Sequence, residues 1–291
     1  MLRLVLPKGS LEKATLELFA SADLAVHRSS NVDYSARIDD PRVAEVRILR
    51  PQEIPTYVED GLFDLGITGR DWIEETGADV VSLGELSYSK TTDLPIRIVL
   101  AVAAESPIYK TDDLPDGCRV ATEYPRLTER YLAEHGVEGE VRYSHGATEA
   151  KVPDIADAVV EITETGRALG AAGLRIVDTL LVSRTEVICS RKAAADAAKS
   201  HAMSQLLVLL QGALEARGKV LVKLNVSETD LESVISVLPS MKAPTISKLF
   251  HEDAYAVETV VPKSEINVLI PALKDRGATD ILELDLSKIV H

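Results

Sequence analysis

Aromatic side chains are scarce: eight Tyr, three Phe and one Trp make up 4% of the 291 residues. The core must therefore be aliphatic, which suits α/β packing with buried parallel strands. Cysteine is nearly absent. Cys118 and Cys189 have no CxxC partner and no histidine at ligand spacing, which excludes a disulfide framework and a structural zinc site. Both are expected to be buried small hydrophobes. Long apolar runs are missing too: residues 98–104 and 206–210 are the longest, far short of the ~20 residues that span a bilayer. The opening apolar run stops at Pro7-Lys8, which reads as no signal peptide, and the expectation is a soluble, cytoplasmic protein without a membrane partner. Basic charge is also in deficit. Against 46 acids stand 32 Lys and Arg, a formal net charge of −14, which argues against a nucleic-acid partner. No G-x-x-x-x-G-K-[ST] segment exists, so no Walker loop holds a nucleotide. His135, His145, His201 and His251 are scattered and read as surface or satisfied histidines.

The most informative segment that is present reads A-D-A-V-V-E-I-T-E-T-G-R-A-L, from Ala156 to Leu169. An apolar strand, interrupted only by Glu161, runs into a loop with Thr163, Thr165 and Gly166, and a helix opens at Arg167. Such a junction holds a phosphate: helix-start N–H groups point outward, glycine lets the backbone approach, and hydroxyls add donors. The bland alternative is a well-capped turn.

Strands and helices alternate up to about Arg97. Strands are expected at residues 2–6, 43–49 and 65–68, with helices near 11–22, 52–60 and 69–76, implying parallel strands with helical crossovers. Residues 96–103 read as a strand crossing into a second lobe that holds strands 119–122 and 156–162 and helix 127–136. Strand 186–191 returns, and helix 194–218, with residues 203–210 as its core stripe, belongs again to the first lobe. The expected division is residues 1–97 with 192–218 as lobe I, 98–191 as lobe II with the phosphate loop, and 219–291 as a separate module. Two lobes joined by two crossovers leave a cleft at strand ends. From Lys219 the order becomes β-α-β-β-α-β, a ferredoxin-like unit, with a capping-box pattern at Ser227-Glu228-Thr229-Asp230 and Gly277 ending its second helix.

Three further blocks accompany the phosphate loop: Gly61-Leu62-Phe63-Asp64-Leu65-Gly66-Ile67-Thr68-Gly69-Arg70-Asp71-Trp72, Ala121-Thr122-Glu123-Tyr124-Pro125 and Gly146-Ala147-Thr148-Glu149. With Pro7-Lys8-Gly9-Ser10 and Arg50-Pro51-Gln52-Glu53, they make the chain resemble the long form of the ATP phosphoribosyltransferase family, the first enzymes of histidine biosynthesis, over essentially its whole length. The resemblance implies a bilobal, periplasmic-binding-protein-like α/β core with a C-terminal ferredoxin-like regulatory domain. It also implies attack by an adenine ring nitrogen of ATP on phosphoribosyl pyrophosphate, Mg2+ held largely by substrate oxygens, inhibition by histidine, and a homo-oligomer (dimer and hexamer).

On that resemblance Thr163, Glu164, Thr165, Gly166, Arg167, Ala168 and Leu169 cradle the 5′-phosphate. Lys8, Arg50, Glu149 and Glu161 form the catalytic set, with Glu149 and Glu161 also near the metal. Gly9, Ser10, Thr68, Gly69 and Asp71 meet ATP. Asn225, Ala243, Thr245, Ser247 and Ala278 receive histidine, around the segment Lys242-Ala243-Pro244-Thr245-Ile246-Ser247. Because both substrates are anions and the chain is acidic, the site needs local positive charge, for which Lys8, Arg50, Lys90, Arg97 and Arg167 are the candidates. Asp64 reads as structural, pairing with a helix N-terminus. Three positions depart from the family pattern: Glu161 where Asp is usual, Ala168 where Thr is usual, and Ser10 where many relatives have Arg. A bilobal small-molecule sensor is the competing reading. A purine- or orotate-type phosphoribosyltransferase fits less well, since Val159-Val160-Glu161 supplies one acid where that family has two.

Overall fold

Strands whose side chains are buried on both faces set the architecture. A computed structural model describes residues 1–30, 32–88, 95–239 and 243–291, so Lys90 and Lys242 lie outside the described residues. The chain divides into two compact units, Met1–Leu207 and Val208–His291.

In the first unit β1 (Leu2–Pro7) leads to α1 (Glu12–Ser21), and a hairpin of β2 (Val26–His27) and β3 (Ser35–Ile38) turns into β4 (Val43–Leu49). Then come α2 (Ile54–Glu59), β5 (Leu65–Gly69), α3 (Arg70–Thr76) and β6 (Val80–Leu86). The second lobe follows with β7 (Ile96–Ala103), β8 (Cys118–Thr122), α4 (Pro125–Glu134), β9 (Gly139–Tyr143), β10 (Ala158–Thr163), α5 (Arg167–Ala171) and β11 (Leu174–Ser183). The chain returns through β12 (Thr185–Ser190), α6 (Arg191–Ala195) and α7 (Ala197–Ala216), within which the division between units falls.

Among the described residues the first sheet has the order β2-β3-β4-β1-β5-β12-β6. Leu2, Leu4, Val5 and Leu6 of β1 are fully buried, as a strand covered on both faces requires. The expected parallel pairing holds only at the centre, where β1 pairs with β4 and β5. β2, β3 and β12 pair antiparallel, because hairpins and the returning strand need no helical crossover. The second sheet has the order β11-β7-β10-β8-β9, with Ile98 to Val102 of β7 fully buried at its heart. Cys118 and Cys189 are free and buried as expected, and burial pushes the Cys189 thiol up to about 11.

The second unit contains β13 (Lys219–Ser227), α8 (Leu231–Ile235), β14 (Thr245–Lys248), β15 (Ala254–Pro262), α9 (Ile266–Asp275) and β16 (Thr279–Asp285). Its antiparallel sheet, β14-β15-β13-β16, has the ferredoxin-like order. Val220, Val222, Leu224 and Val226 alternate inward from β13 to meet Leu269 and Leu273 of α9. One local expectation fails. Ser227 Oγ accepts the Asp230 N–H at 3.2 Å and donates to Asp230 Oδ2 at 2.8 Å, so this segment closes a turn and supplies α8 with no side-chain cap. Among the described residues no helix is long and apolar enough to cross a membrane.

Candidate active site

Because β1, β4 and β5 run parallel, their C-terminal ends reach one edge of the first sheet, where open α/β sheets bind ligands. Lys8 and Arg50 follow β1 and β4 side by side, with the Lys8 N–H donating to Leu49 O at 2.7 Å. A cleft of about 480 Å³ opens at this edge. Ser10, Leu11, Pro51, Gly69, Asp71 and Trp72 line it from the first lobe, and Ile162, Thr163, Glu164, Thr165 and Ala168 from the second. Gly9 stands next to Ser10 at φ +89°, a left-handed backbone that suits glycine.

The predicted phosphate loop is thus on the cleft wall. Gly166 adopts φ +78°, and its N–H donates to Thr163 Oγ1 at 2.8 Å, which ties the loop into a tight turn before α5. Arg167 and Ala168 are exposed, while Leu169 is 2% exposed and packs with Val99, Ala101 and Val159. The Leu169 side chain is therefore core and unavailable to a substrate; an apolar residue one turn into a short helix has to cover the sheet. Arg97 stands opposite Thr163 in the β7–β10 pairing. Among the described residues neither Arg50 nor Arg167 has an ion-pair partner.

Glu161 lies two residues before the end of β10, with burial pushing its carboxyl up and the Glu123 and Glu149 carboxylates adding to that rise. Thr148 and the Ile162 N–H oppose it with hydrogen bonds, the latter at 2.9 Å to Glu161 Oε1. Glu149 and Glu123 thus stand near enough to Glu161 for their charges to act on it. Among the described residues no group of three or more His, Cys, Asp or Glu is arranged to hold a metal ion by itself.

Asp71 is 1% exposed. Its Oδ2 accepts from the Tyr124 hydroxyl at 2.9 Å and its Oδ1 from Ser183 Oγ at 2.6 Å, while Trp72 stacks on Tyr124 with centroids 4.6 Å apart. Burial raises the Asp71 carboxyl above its ordinary value. Thr68 is a correction: fully buried, its hydroxyl donates to Pro51 O at 2.9 Å and cannot meet a nucleotide. Asp64 is structural, but its partners are Lys199 Nζ at 2.8 Å, the Arg3 N–H at 2.9 Å and the Arg3 guanidinium, where a helix N-terminus was expected. Lys8 places its ammonium 3.8 Å above the Tyr34 ring.

In the second unit the strand register puts Ser247 opposite Ala256, and Ala256 opposite Asn225. Thr245, Ser247 and Asn225 therefore share the sheet face away from α8 and α9, and Asn225 Nδ2 donates to Asp280 Oδ2 at 3.0 Å. Ala243 is exposed, whereas Ala278 is 4% exposed in the core, so its side chain belongs to packing.

Sequence reasoning missed several cleft residues. Leu86, Ser87, Tyr88, Ser183, Arg184 and Thr185 line it where the chain crosses between lobes. Arg184 is a cleft cation, paired with Glu85 at 3.4 Å. For Leu86 to Tyr88, Ser183 and Arg184 the signal was weak because β6 and β11, which lead to them, were not read as strands; Thr185 opens β12 one residue ahead of the expected strand 186–191.

The matches to known proteins converge on one family. The family profile described as HisG, ATP phosphoribosyltransferase, matches residues 50–212, and that described as HisG, C-terminal domain, matches residues 216–288. The ATP phosphoribosyltransferases of Pelotomaculum thermopropionicum and Desulforudis audaxviator are each 46% identical to the chain, over 99% of both chains. A solved structure, the ATP phosphoribosyl transferase (HisG:HisZ) complex from Thermotoga maritima, superposes with TM-score 0.63 at 27% identity, covering 74% of this chain and 99% of that one. The chain belongs to the ATP phosphoribosyltransferase family, the transferases of histidine biosynthesis.

Proposed function

We propose that the cleft joins ATP to phosphoribosyl pyrophosphate and that histidine inhibits the reaction through the second unit. In the chemistry proposed, a neutral adenine ring nitrogen, already unprotonated at neutral pH, forms a bond to the anomeric carbon. The bond to pyrophosphate breaks, and the leaving group takes the electron pair. No strong base is needed; alignment of two anions and compensation of charge are.

The observation that carries this reading is the placement of the Thr163–Ala168 loop across one cleft from Ser10, Gly69 and Asp71. The loop N–H groups, with Thr165 and Arg167, receive the 5′-phosphate, while Lys8 and Arg50 face the pyrophosphate. Glu161 faces the ribose hydroxyls. The donor set also suits Mg2+: Glu161 sits in the field of Glu149 and Glu123, a like-charge arrangement that a dication relieves. Glu161 and Glu149 would hold the ion together with substrate oxygens, and it would neutralise the departing pyrophosphate. Asn225, Thr245 and Ser247, with Ala243 near the start of β14, offer hydroxyl, amide and backbone groups to an amino acid's carboxylate and ammonium. We further assign the chain a cytoplasmic homo-oligomer, dimer and hexamer.

The test is pyrophosphate release coupled to pyrophosphatase. Release should require ATP, phosphoribosyl pyrophosphate and magnesium together, with phosphoribosyl-ATP as the second product, and histidine should slow it. Tight substrate binding without product would instead make the chain a small-molecule sensor.

A further inference from the structure

Helix α3 belongs to the first lobe, yet its acids are spent on the second. Glu75 is 8% exposed, and both carboxylate oxygens are engaged: Oε1 accepts the Arg126 N–H at 3.1 Å and Oε2 the Leu127 N–H at 2.9 Å. These are first-turn N–H groups of α4, a helix that opens at Pro125 and has no side-chain cap of its own. Unpaired N–H groups at a helix start carry partial positive charge and favour a carboxylate. One turn earlier on the same face of α3, Asp71 accepts from Tyr124, the residue just before α4. Glu74 adds a 3.0 Å contact to Arg130 on the next turn of α4. The cap of α4 therefore comes from the opposite lobe.

The residues just ahead of α4 stand behind the cleft wall: Tyr124 donates to Asp71 and stacks on Trp72, and both of those line the cleft. β8 pairs parallel with β10, with Thr122 opposite Val160, so Glu123 follows on beside Glu161, and its charge adds to the rise of the Glu161 carboxyl. Where Glu123 and Tyr124 stand relative to the first lobe is set by what holds the start of α4. Removing the Glu75 carboxylate frees two N–H groups and lets this junction move against α3.

We propose that Glu75 is a positioning residue: by capping α4 from across the cleft it fixes the Glu123-Tyr124 junction beside Glu161 and thereby sets recognition of the phosphoribosyl donor. The inference rests on the function proposed above. Glu75 touches no substrate and acts only through this junction.

Steady-state kinetics on the full chain test it, at a temperature where circular dichroism shows each variant folded. Glu75→Ala should lower kcat/KM for phosphoribosyl pyrophosphate about tenfold or more while KM for ATP stays within about twofold. Glu75→Gln, which keeps one acceptor oxygen, should recover most of that loss. A purely structural Glu75 predicts the opposite pattern: a lower melting temperature with unchanged kcat/KM in the folded protein, which overturns the proposal. If Glu75→Ala does not fold, Glu75→Asp, too short to reach both N–H groups, must show the same donor-selective loss, and parental kinetics there also overturn it. A parent chain that forms no phosphoribosyl-ATP contradicts the function reading instead. Calorimetric affinity for phosphoribosyl pyrophosphate then decides, and equal affinity in parent and variant refutes the role of Glu75.

Discussion

A Cβ placed on Gly69 would lie 2.1 Å from Asp71 Oδ1. The last residue of β5 is therefore a glycine because the carboxylate two residues later folds back over it. That carboxylate accepts from Tyr124 and Ser183, and the Ser183 hydroxyl in turn accepts the Asp71 N–H at 3.0 Å. A first-lobe helix is thus bound to two second-lobe elements through one buried acid.

Gly69→Ala should expel the Asp71 carboxylate from this pocket and leave the two hydroxyls poorly paired. Urea unfolding should show a loss of about 2–4 kcal/mol. A loss below about 1 kcal/mol would mean that the carboxylate finds an equivalent position.

The same acid predicts a pH dependence. Burial raises the Asp71 carboxyl, with the Ser183 and Tyr124 hydrogen bonds opposing the rise, so the folded chain holds this proton more tightly than the unfolded chain. Stability from this group is therefore greatest at acid pH and declines as pH rises from the ordinary value of 3.8 through the raised one. Asp71→Asn should flatten that part of the stability–pH curve. An identical slope in parent and variant between the two values would contradict the assignment.

In the phosphate loop the informative substitution is Ala168→Thr. Gly166→Val confounds binding with strain, since residue 166 has φ +78° and a Cβ there would lie 3.2 Å from Ile176 Cδ1. Ala168 is exposed on the cleft wall. A threonine hydroxyl there should leave affinity for phosphoribosyl pyrophosphate unchanged or tighten it up to about tenfold. Weaker binding by calorimetry would place the phosphate elsewhere.

How far the sequence revealed this arrangement depends on the local signal. The Glu161–Arg167 junction was legible because strand, loop and helix signals follow one another without interruption. The ferredoxin-like unit was legible because β13 alternates strictly between core and open face. β11 was not, since register shifts at Ile176/Asp178 and Thr179/Leu181 break its period of two. Ser183 and Arg184, which close the cleft, were lost with it. Thr68 was misassigned because a hydroxyl at a strand end looks the same in sequence whether it meets a ligand or a neighbouring carbonyl. Glu75 carries no motif; its role depends on a helix 50 residues later.

The proposed inhibition by histidine makes a separate prediction for the second unit. Thr245→Ala and Asn225→Ala should each raise the histidine concentration for half-inhibition severalfold, with uninhibited turnover nearly unchanged. Dose–response curves identical to the parent would leave the open face of β13 and β14 without this ligand.

The most direct measurement is a crystal structure of the chain with phosphoribosyl pyrophosphate and Mg2+ bound. The account predicts the 5′-phosphate against the N–H groups of Thr165, Arg167 and Ala168, the ribose hydroxyls toward Glu161 and the pyrophosphate toward Lys8. A phosphoribosyl group bound elsewhere, with the Thr163–Ala168 loop empty, would contradict it.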